Sequence, residues 1–504
     1  SWLNERFFGK ELYGLFKQVK QIFDPQNLLN PGIIVDGQPM TENLRYGADY
    51  RAAPVQTHID FSEDLGFDRA VEMCNGAGVC RKVTTGTMCP SFIATREEEH
   101  STRGRANLLR AALSGRLPLE ELTGPRMAQA LDLCVECKAC KAECPSGVDM
   151  AKIKLEFLAQ YYDRHGLPLR ARFFARTPQL AARFSGWPAP LINRINRTQA
   201  VRWALEKLLG ITRQRPLPAY AREPFRRWFQ QHQPPALPAR NGRNVVLFPD
   251  TFTNFYQPWI GRAAVQVLEA LGYRVVLPPP ACCGRPAISK AVLQQARTMA
   301  RKTLQVLKPF LQAGTPVVGL EPSCILSLRE DYRYLLPEEY KKLPLERLVF
   351  TWEEFVARHL EEGSLDGLPP EARLQTDLLV HGHCHQKSLV GMEPAQRALA
   401  AFVSGRVSVI DSSCCGMAGS FGFEKEHLPI SRKMAEHRLL PAVQQAPEDT
   451  RIVASGFSCR QQIQWLSGRK AVHPAEIMAL ALAGGQTNRP AEADLTLSRK
   501  GELP

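Results

Sequence analysis

The chain has 504 residues, of which 44% are hydrophobic and 23% charged, with a formal net charge of +14. At ~150 residues per domain this length predicts about three domains, and no run reaches the ~18–20 apolar residues of a membrane-spanning helix, which excludes that class. Fourteen cysteines would suit a disulfide scaffold only in a far shorter secreted chain; in one this long they predict metal and a reducing cytosol. Ser1 is not a start methionine and no signal peptide follows it, so the expectation is a piece of a longer protein, cytoplasmic or peripheral to the inner membrane.

Taken in order, residues 2–23 predict an amphipathic helix, since Leu3, Phe7, Phe8, Leu12, Leu15, Phe16, Val19 and Phe23 recur at helical spacing. It closes on FDPQNLLNPG (23–32), where Asp-Pro and Asn-Pro-Gly stop a helix.

Residues 68–160 hold seven cysteines. Four of them, Cys134, Cys137, Cys140 and Cys144, stand in CVECKACKAECP, a C-x2-C-x2-C-x3-C-P run. In bacterial ferredoxins three thiolates of that run hold one cubane and the fourth reaches another cluster. Zinc is the rival, but its sites usually come as two separated C-x2-C pairs. Helices are predicted at Ala106–Leu113, Met127–Leu133 and Met150–Tyr162. Upstream, CNGAGVC (74–80) has Ala77 where a middle cysteine would stand, and Cys89 is followed by Pro90.

Between Arg164 and Gln230 there are fourteen Lys/Arg and two acids (Glu206, Glu223), so this segment holds +12 of the +14. Phe173, Phe174, Phe184, Trp187, Trp203, Phe225, Trp228 and Phe229 interleave with the charges. Nucleic acid, an anionic membrane surface, and a docking face within the same enzyme all fit this composition. The proline-rich ends add the reading of an inter-domain connector.

Residues 244–485 contain an internal repeat. VVLFPDTF (245–252) corresponds to LLVHGHCH (378–385), PACCGRPA (280–287) to SSCCGMAG (412–419), and VVGLEPSC (317–324) to IVASGFSC (452–459). Each copy reads strand, helix, strand, CCG, long helix, strand, Ser-Cys, helix, which predicts a parallel sheet with covering helices. The cysteines then lie past strand C-termini, where open α/β sheets bind ligands. The second copy has Cys384, Cys414, Cys415 and Cys459, with His381, His383 and His385 nearby. The first has Cys282, Cys283 and Cys324, with Thr251 near the place of Cys384. A metal or cluster is expected in the second copy and structural cysteines in the first.

These motifs carry a resemblance. FDPQNLLNPG looks like the tail of FAD-linked oxidases of the vanillyl-alcohol-oxidase type, where the matching strand-and-turn lies beside the flavin. The CCG pairs resemble those of the cysteine-rich component of heterodisulfide reductase and of the iron–sulfur component of glycolate oxidase, although GFSCRQQ lacks the final C-x-x-C. With MCPSFIATREEEHSTRGRANLLR (88–110) between them, their order resembles the bacterial fused FAD-linked oxidase/iron–sulfur proteins of the D-2-hydroxyglutarate dehydrogenase type.

The fold class implied is α/β with an all-α helical ferredoxin domain and two CCG repeats of parallel β/α type. The division is 1–50 oxidase tail, 51–163 ferredoxin domain, 164–243 basic connector, 244–350 first CCG repeat, 351–485 second repeat and 486–504 polar tail. The exchange of Cys-Pro ligands in helical ferredoxins assigns Cys134, Cys137, Cys140 and Cys89 to one [4Fe–4S] cluster. Cys74, Cys80 and Cys144 remain. They resemble a three-thiolate [3Fe–4S] site, yet eight residues instead of three separate Cys80 from Cys89, so the site is either lost or takes a non-Cys ligand if it does not hold that core. Asn30 is the flavin-contacting residue implied within the tail, and the flavin domain proper precedes it. The implied activity is oxidation of a D-2-hydroxy acid at FAD, with electrons passed to a quinone or another carrier. No residue here is assigned a catalytic role. Peripheral membrane contact and a homo-oligomer are expected, and no specific nucleic acid.

Overall fold

The computed structural model describes residues 2–44, 46–47, 49–234, 244–362 and 373–484. The polar tail and residues 235–243 of the connector lie outside them. The chain divides into two compact units, Ser1–Pro54 with Ala111–Leu119, and Val55–Arg110 with Glu120–Pro504.

In the first unit the helix runs Asn4–Phe23. Asp24 ends it and organises the turn: its carboxylate accepts the Leu28 and Leu29 N–H groups, each at 2.8 Å, while Lys20 pairs with it. Asn27 and Asn30 both take left-handed backbone, φ 53° and 49°, a conformation Asn tolerates better than most residues. The segment is turns throughout, without the strand that the oxidase resemblance implied. Of the apolar stripe, Phe7 is 81% exposed, and only Tyr13 of the helix is buried.

The second unit begins with helices and turns. Thr102–Leu113, Pro125–Asp132 and Met150–His165 match the three predicted helices to within a turn. The basic segment is also helical, at Leu169–Ala175, Thr177–Phe184, Ala189–Asn196, Gln199–Leu209 and Phe225–Gln231. Phe225 is fully buried, its ring so close to Gly261 that a Cβ there would lie 2.6 Å from it. Trp228 and Phe229 pack on the same core, whereas Trp187 and Trp203 face solvent.

The repeat folds as two matching four-stranded parallel sheets. The first has β1 (Asn244–Phe248), β2 (Arg274–Val276), β3 (Val317–Gly319) and β4 (Val349–Thr351) in the order β2-β1-β3-β4. The second has β5 (Leu378–His381), β6 (Val407–Val409), β7 (Arg451–Ala454) and β8 (Ala471–Val472) in the order β6-β5-β7-β8. Val246 pairs with Val317, and Val380 with Val453. The central strands are apolar runs because helices cover both faces of such sheets. One continuous core joins the copies, with Val245, Leu268, Val318 and Trp352 from one side and Val380, Leu399, Phe402 and Val453 from the other. Helix Pro258–Ala270 packs on Pro474–Leu482, and Trp352–Glu361 on Glu393–Ala400.

The glycine of each CCG has the same job. Gly284 and Gly416 adopt φ 79° and 83°, and each N–H points at the first cysteine Sγ of its motif at 3.4 Å. A side chain at either position meets left-handed strain of about 1 kcal/mol. At Gly416 a Cβ would also collide with the Ser431 carbonyl, while at Gly284 the nearest atom, the Ala296 carbonyl oxygen, is 3.3 Å away. Gly416→Ala should therefore lower the chemical-denaturation midpoint clearly more than Gly284→Ala.

Candidate metal centres

Cys89 lies just before the helix Pro90–Thr95, and Cys134, Cys137 and Cys140 wrap the turn leading into Ala139–Glu143. That turn is tight: Glu136 and Lys138 are both left-handed, at φ 51° and 61°. The four thiols line one small cavity. Cys74, Cys80 and Cys144 line a second, together with Ala77. Met88 and Thr102 line both, so one layer of side chains separates the two groups. The chemistry fits a cubane in the first group, four sulfur donors around one space. In the second, three thiols converge and a methyl group stands where a fourth donor would be.

Burial pushes the Cys137 and Cys140 thiols up. Binding metal must displace those protons, which couples loading to pH. The negative charge so created has cations beside it. Arg105, fully buried, directs one guanidinium nitrogen to Cys89 Sγ at 3.7 Å while bonding Ala130 O and Ser91 Oγ. Lys154 donates to the carbonyls of Asp132 and Cys134. Neither cation was singled out from the sequence. The signal was available: Arg105 precedes Leu109 and Leu113 by four and eight residues, on the buried face of its helix.

The eight-residue spacing between Cys80 and Cys89 also has a structural reason. The intervening loop reaches the second CCG copy, where Ser413 Oγ donates to Thr87 O (2.6 Å), Gly86 N–H donates to Asp411 (2.9 Å) and Arg438 donates to Thr84 O (3.1 Å).

The turn carrying Cys137 is clasped by both copies. Lys138, 1% exposed, pairs with Asp331 at 2.7 Å. Asp331 also holds Arg285 at 3.1 Å, which reaches Glu136 at 3.5 Å. Burial would raise the Asp331 carboxyl, but Lys138 and Arg285 hold it well below the usual carboxylate range. From the second copy, His385 Nε2 donates to Glu136 O (2.9 Å) and Ser388 Oγ to Cys137 O (3.1 Å).

Cys384, Cys414, Cys415 and Cys459 gather past the ends of β5, β6 and β7, lining a third, larger cavity that Cys134 also lines. Thiol contacts push Cys414 and Cys459 up, through Cys384 and Cys415 respectively. A ring nitrogen of His381, Cys415 Sγ and Cys459 Sγ lie within 4.8 Å of one another, and His381 Nδ1 is held by Ser412 Oγ at 2.9 Å. In the first copy Cys282, Cys283 and Cys324 contact each other. Thr251 opens the helix after β1 as Cys384 opens the one after β5, and its hydroxyl lies 3.7 Å from Cys282 Sγ.

Three comparisons bear on this geometry. Residues 70–148 match the 4Fe-4S dicluster domain, 2–34 the C-terminal domain of FAD linked oxidases, and 251–329 with 379–464 the cysteine-rich CCG domain. D-2-hydroxyglutarate dehydrogenase of Escherichia coli (strain K12) is 27% identical over 94% of this chain and 49% of its own length. A component of the anaerobic glycerol-3-phosphate dehydrogenase of the same strain is 29% identical, covering 58% of this chain and 73% of its own. Lactate utilization protein A of Exiguobacterium sp. is 27% identical over 47% of this chain and 95% of its own. The chain thus spans about half the length of the dehydrogenase it matches nearly end to end. No solved structure gives a significant match.

Cys137→Ser should cost the first group its cluster, read as lost iron and lost visible absorbance in the anaerobically reconstituted protein. Cys144→Ser should alter the second group alone, leaving the signal of the first. Lys138→Met leaves Asp331 buried with one partner fewer and should destabilise by about 3 kcal/mol; a denaturation midpoint partly recovered in Lys138→Met/Asp331→Leu would show that the stranded charge is the cause.

Proposed function

This chain carries an iron–sulfur dicluster domain and paired CCG domains and is homologous to D-2-hydroxyglutarate dehydrogenase, and from that premise we propose that it is the electron-transfer part of a flavin-dependent D-2-hydroxy acid dehydrogenase. D-2-hydroxyglutarate is the proposed substrate. FAD is proposed to be held by an oxidase domain to which residues 2–34, with Asn30, contribute. A helical ferredoxin domain over 51–163, a basic connector over 164–243 and two CCG repeats over 244–350 and 351–485 complete the proposed division.

The observation that carries this reading is the succession of thiol groups. Cys74, Cys80 and Cys144 adjoin Cys89, Cys134, Cys137 and Cys140 through Met88 and Thr102, and Cys134 borders the cavity of Cys384, Cys414, Cys415 and Cys459. We assign the first seven as iron–sulfur ligands and the last four as a further metal site. Iron–sulfur groups take and release one electron at a time, whereas a flavin accepts a hydride. The chain's own residues bury these positions, aim Arg105 and Lys154 at the first group, and fix its turn through Lys138.

Membrane contact is proposed for the basic helices. Trp187 is 88% exposed, and Leu191, Trp203 and Leu208 are exposed among Arg194, Arg197, Arg202 and Lys207. Exposed apolar side chains in a basic surface suit an anionic bilayer interface. No helix among the described residues is long and apolar enough to cross a membrane.

The test joins the chain to its flavin domain and mixes it with D-2-hydroxyglutarate in a stopped-flow instrument. Flavin bleaching followed by loss of iron–sulfur absorbance is the expected order, with Cys137→Ser stopping the second step only. The 504-residue chain by itself should neither bind FAD tightly nor oxidise the acid, and tight binding by it would contradict the assignment. Sedimentation with phosphatidylglycerol vesicles at physiological salt, weakened severalfold in Trp187→Ser/Leu208→Ser, checks the membrane face.

A further inference from the structure

We propose that the cavity past the ends of β5, β6 and β7 binds the electron acceptor, and that this acceptor is a neutral, planar, quinone-type ring. The inference rests on the electron-transfer reading above and names the acceptor that reading leaves open.

Size is the first argument. The cavity of Cys89, Cys134, Cys137 and Cys140 measures ≈ 20 Å³ and that of Cys74, Cys80 and Cys144 ≈ 10 Å³, whereas this one measures ≈ 210 Å³. The first is the space of a four-thiolate site. A cavity about ten times larger holds more than a metal on its four cysteines, and the excess is of the order an organic ring needs.

The lining decides the class. Phe173, Phe174, Tyr220, Phe252, Tyr256 and Phe457 border it, with Phe252 and Phe457 stacked at 4.6 Å and Tyr220 against Tyr256 at 5.2 Å. Flat aromatic walls favour a flat occupant. Cations border it too, but each is already engaged. Arg285 holds Asp331 and Glu136, Lys290 pairs with Glu424 at 2.5 Å, and Lys154 donates to two carbonyls. Arg285 and Lys290 are thus neutralised by carboxylates, and Lys154 alone, held by neutral carbonyls, keeps its charge, so a polyanion such as a nucleotide would meet a single cation here and a neutral ring fits better.

One histidine offers the donor that a quinone oxygen requires. His383 Nδ1 accepts the His385 N–H at 3.1 Å, which places the proton on Nε2. The Glu321 carboxylate is 3.8 Å from that nitrogen, beyond hydrogen-bond reach, so the N–H can serve a quinone oxygen. His385 donates through Nε2 to Glu136 O, and its Nδ1 is buried without a partner. A bound quinone takes two electrons and two protons to become the quinol; the electrons are those the hydroxy acid releases, and the protons come from water. No other bond breaks.

The experiment uses the iron-loaded chain and decylubiquinone, with binding read by quenching of protein fluorescence and needing no turnover. Leu180→Trp fills the cavity from the helix Thr177–Phe184 and should weaken binding at least tenfold with iron content unchanged. Reoxidation of the dithionite-reduced protein by the same quinone should slow in proportion, while reoxidation by ferricyanide stays at the wild-type rate. Should Leu180→Trp lose iron, Phe174→Ala removes a wall instead and should also weaken binding about tenfold. Quinone binding unchanged in an iron-replete Leu180→Trp or Phe174→Ala overturns the site, as does flavin mononucleotide binding more tightly than the quinone. Reduction of the iron–sulfur absorbance by D-2-hydroxyglutarate through the flavin domain, measured without quinone, tests the underlying reading separately.

Discussion

The buried pair between Lys138 and Asp331 is the constraint on which the arrangement depends. Lys138 sits inside the cysteine turn, between Cys137 and Cys140, in a left-handed conformation that a lysine adopts reluctantly. An ammonium at that depth is tolerable only with a charged partner, and Asp331 belongs to the first CCG copy. Asp331 in turn neutralises Arg285, the residue after Gly284, and Arg285 returns to Glu136. The four charges close a circuit that starts and ends in the turn. Such pairs are weak evidence for net stability, because desolvation offsets attraction. Their effect is on position: displacing the turn from the first copy would strand two or more charges in the interior.

This changes the meaning of the degenerate first repeat. It has Thr251 in the place of Cys384, and Thr251 contacts Cys282. Its CCG turn is nevertheless retained in geometry, with the same glycine conformation and the same N–H to sulfur contact as the second copy. What the first copy now contributes is Arg285 and Asp331. The second copy keeps four thiols and adds His385 and Ser388 as clasps on the same turn. The first repeat supports the cysteine turn through Asp331 and Arg285, and the second places four thiols beside it.

The legible parts of the sequence were those in which neighbours along the chain are neighbours in space. CVECKACKAECP announces a compact thiol turn because Cys134, Cys137 and Cys140 are close along the chain, and the repeat is visible because both copies have strand, CCG and Ser-Cys in the same order. The grouping of Cys89 with the run came from a family pattern, and the cavities separate the two sets along that line. β4 and β8 escaped notice because they are short and, unlike the equally short β2, β3 and β6, lead into no CCG or Ser-Cys motif that marks the repeat. The long Cys80–Cys89 spacing read as damage, since its cause lies more than 300 residues away, at Asp411, Ser413 and Arg438. Lys138 was invisible as a core cation because composition counts a charge without saying where it points, whereas Arg105 could have been found from its helical spacing to Leu109 and Leu113.

The same distinction governs the basic segment. Its charge excess reads as one property, but the fold divides it. Arg170 and Arg215 turn inward, the first to Glu424 and the second to Gln462, and Phe225, Trp228 and Phe229 join the CCG core. The apolar contacts depend on burial and resist salt, and the partly buried Arg170 pair is screened less than a surface charge. Arg194, Arg197 and Lys207 stay outside with Trp187 and Trp203, where salt screens them within about 10 Å at 0.1 M. The inner face of Leu169–Ala175 and Thr177–Phe184 supplies Phe173, Phe174 and Leu180 to the large cavity. A segment whose composition fits a connector, a docking face or a membrane surface is therefore built as a wall with two sides, apolar toward the thiols and basic toward solvent.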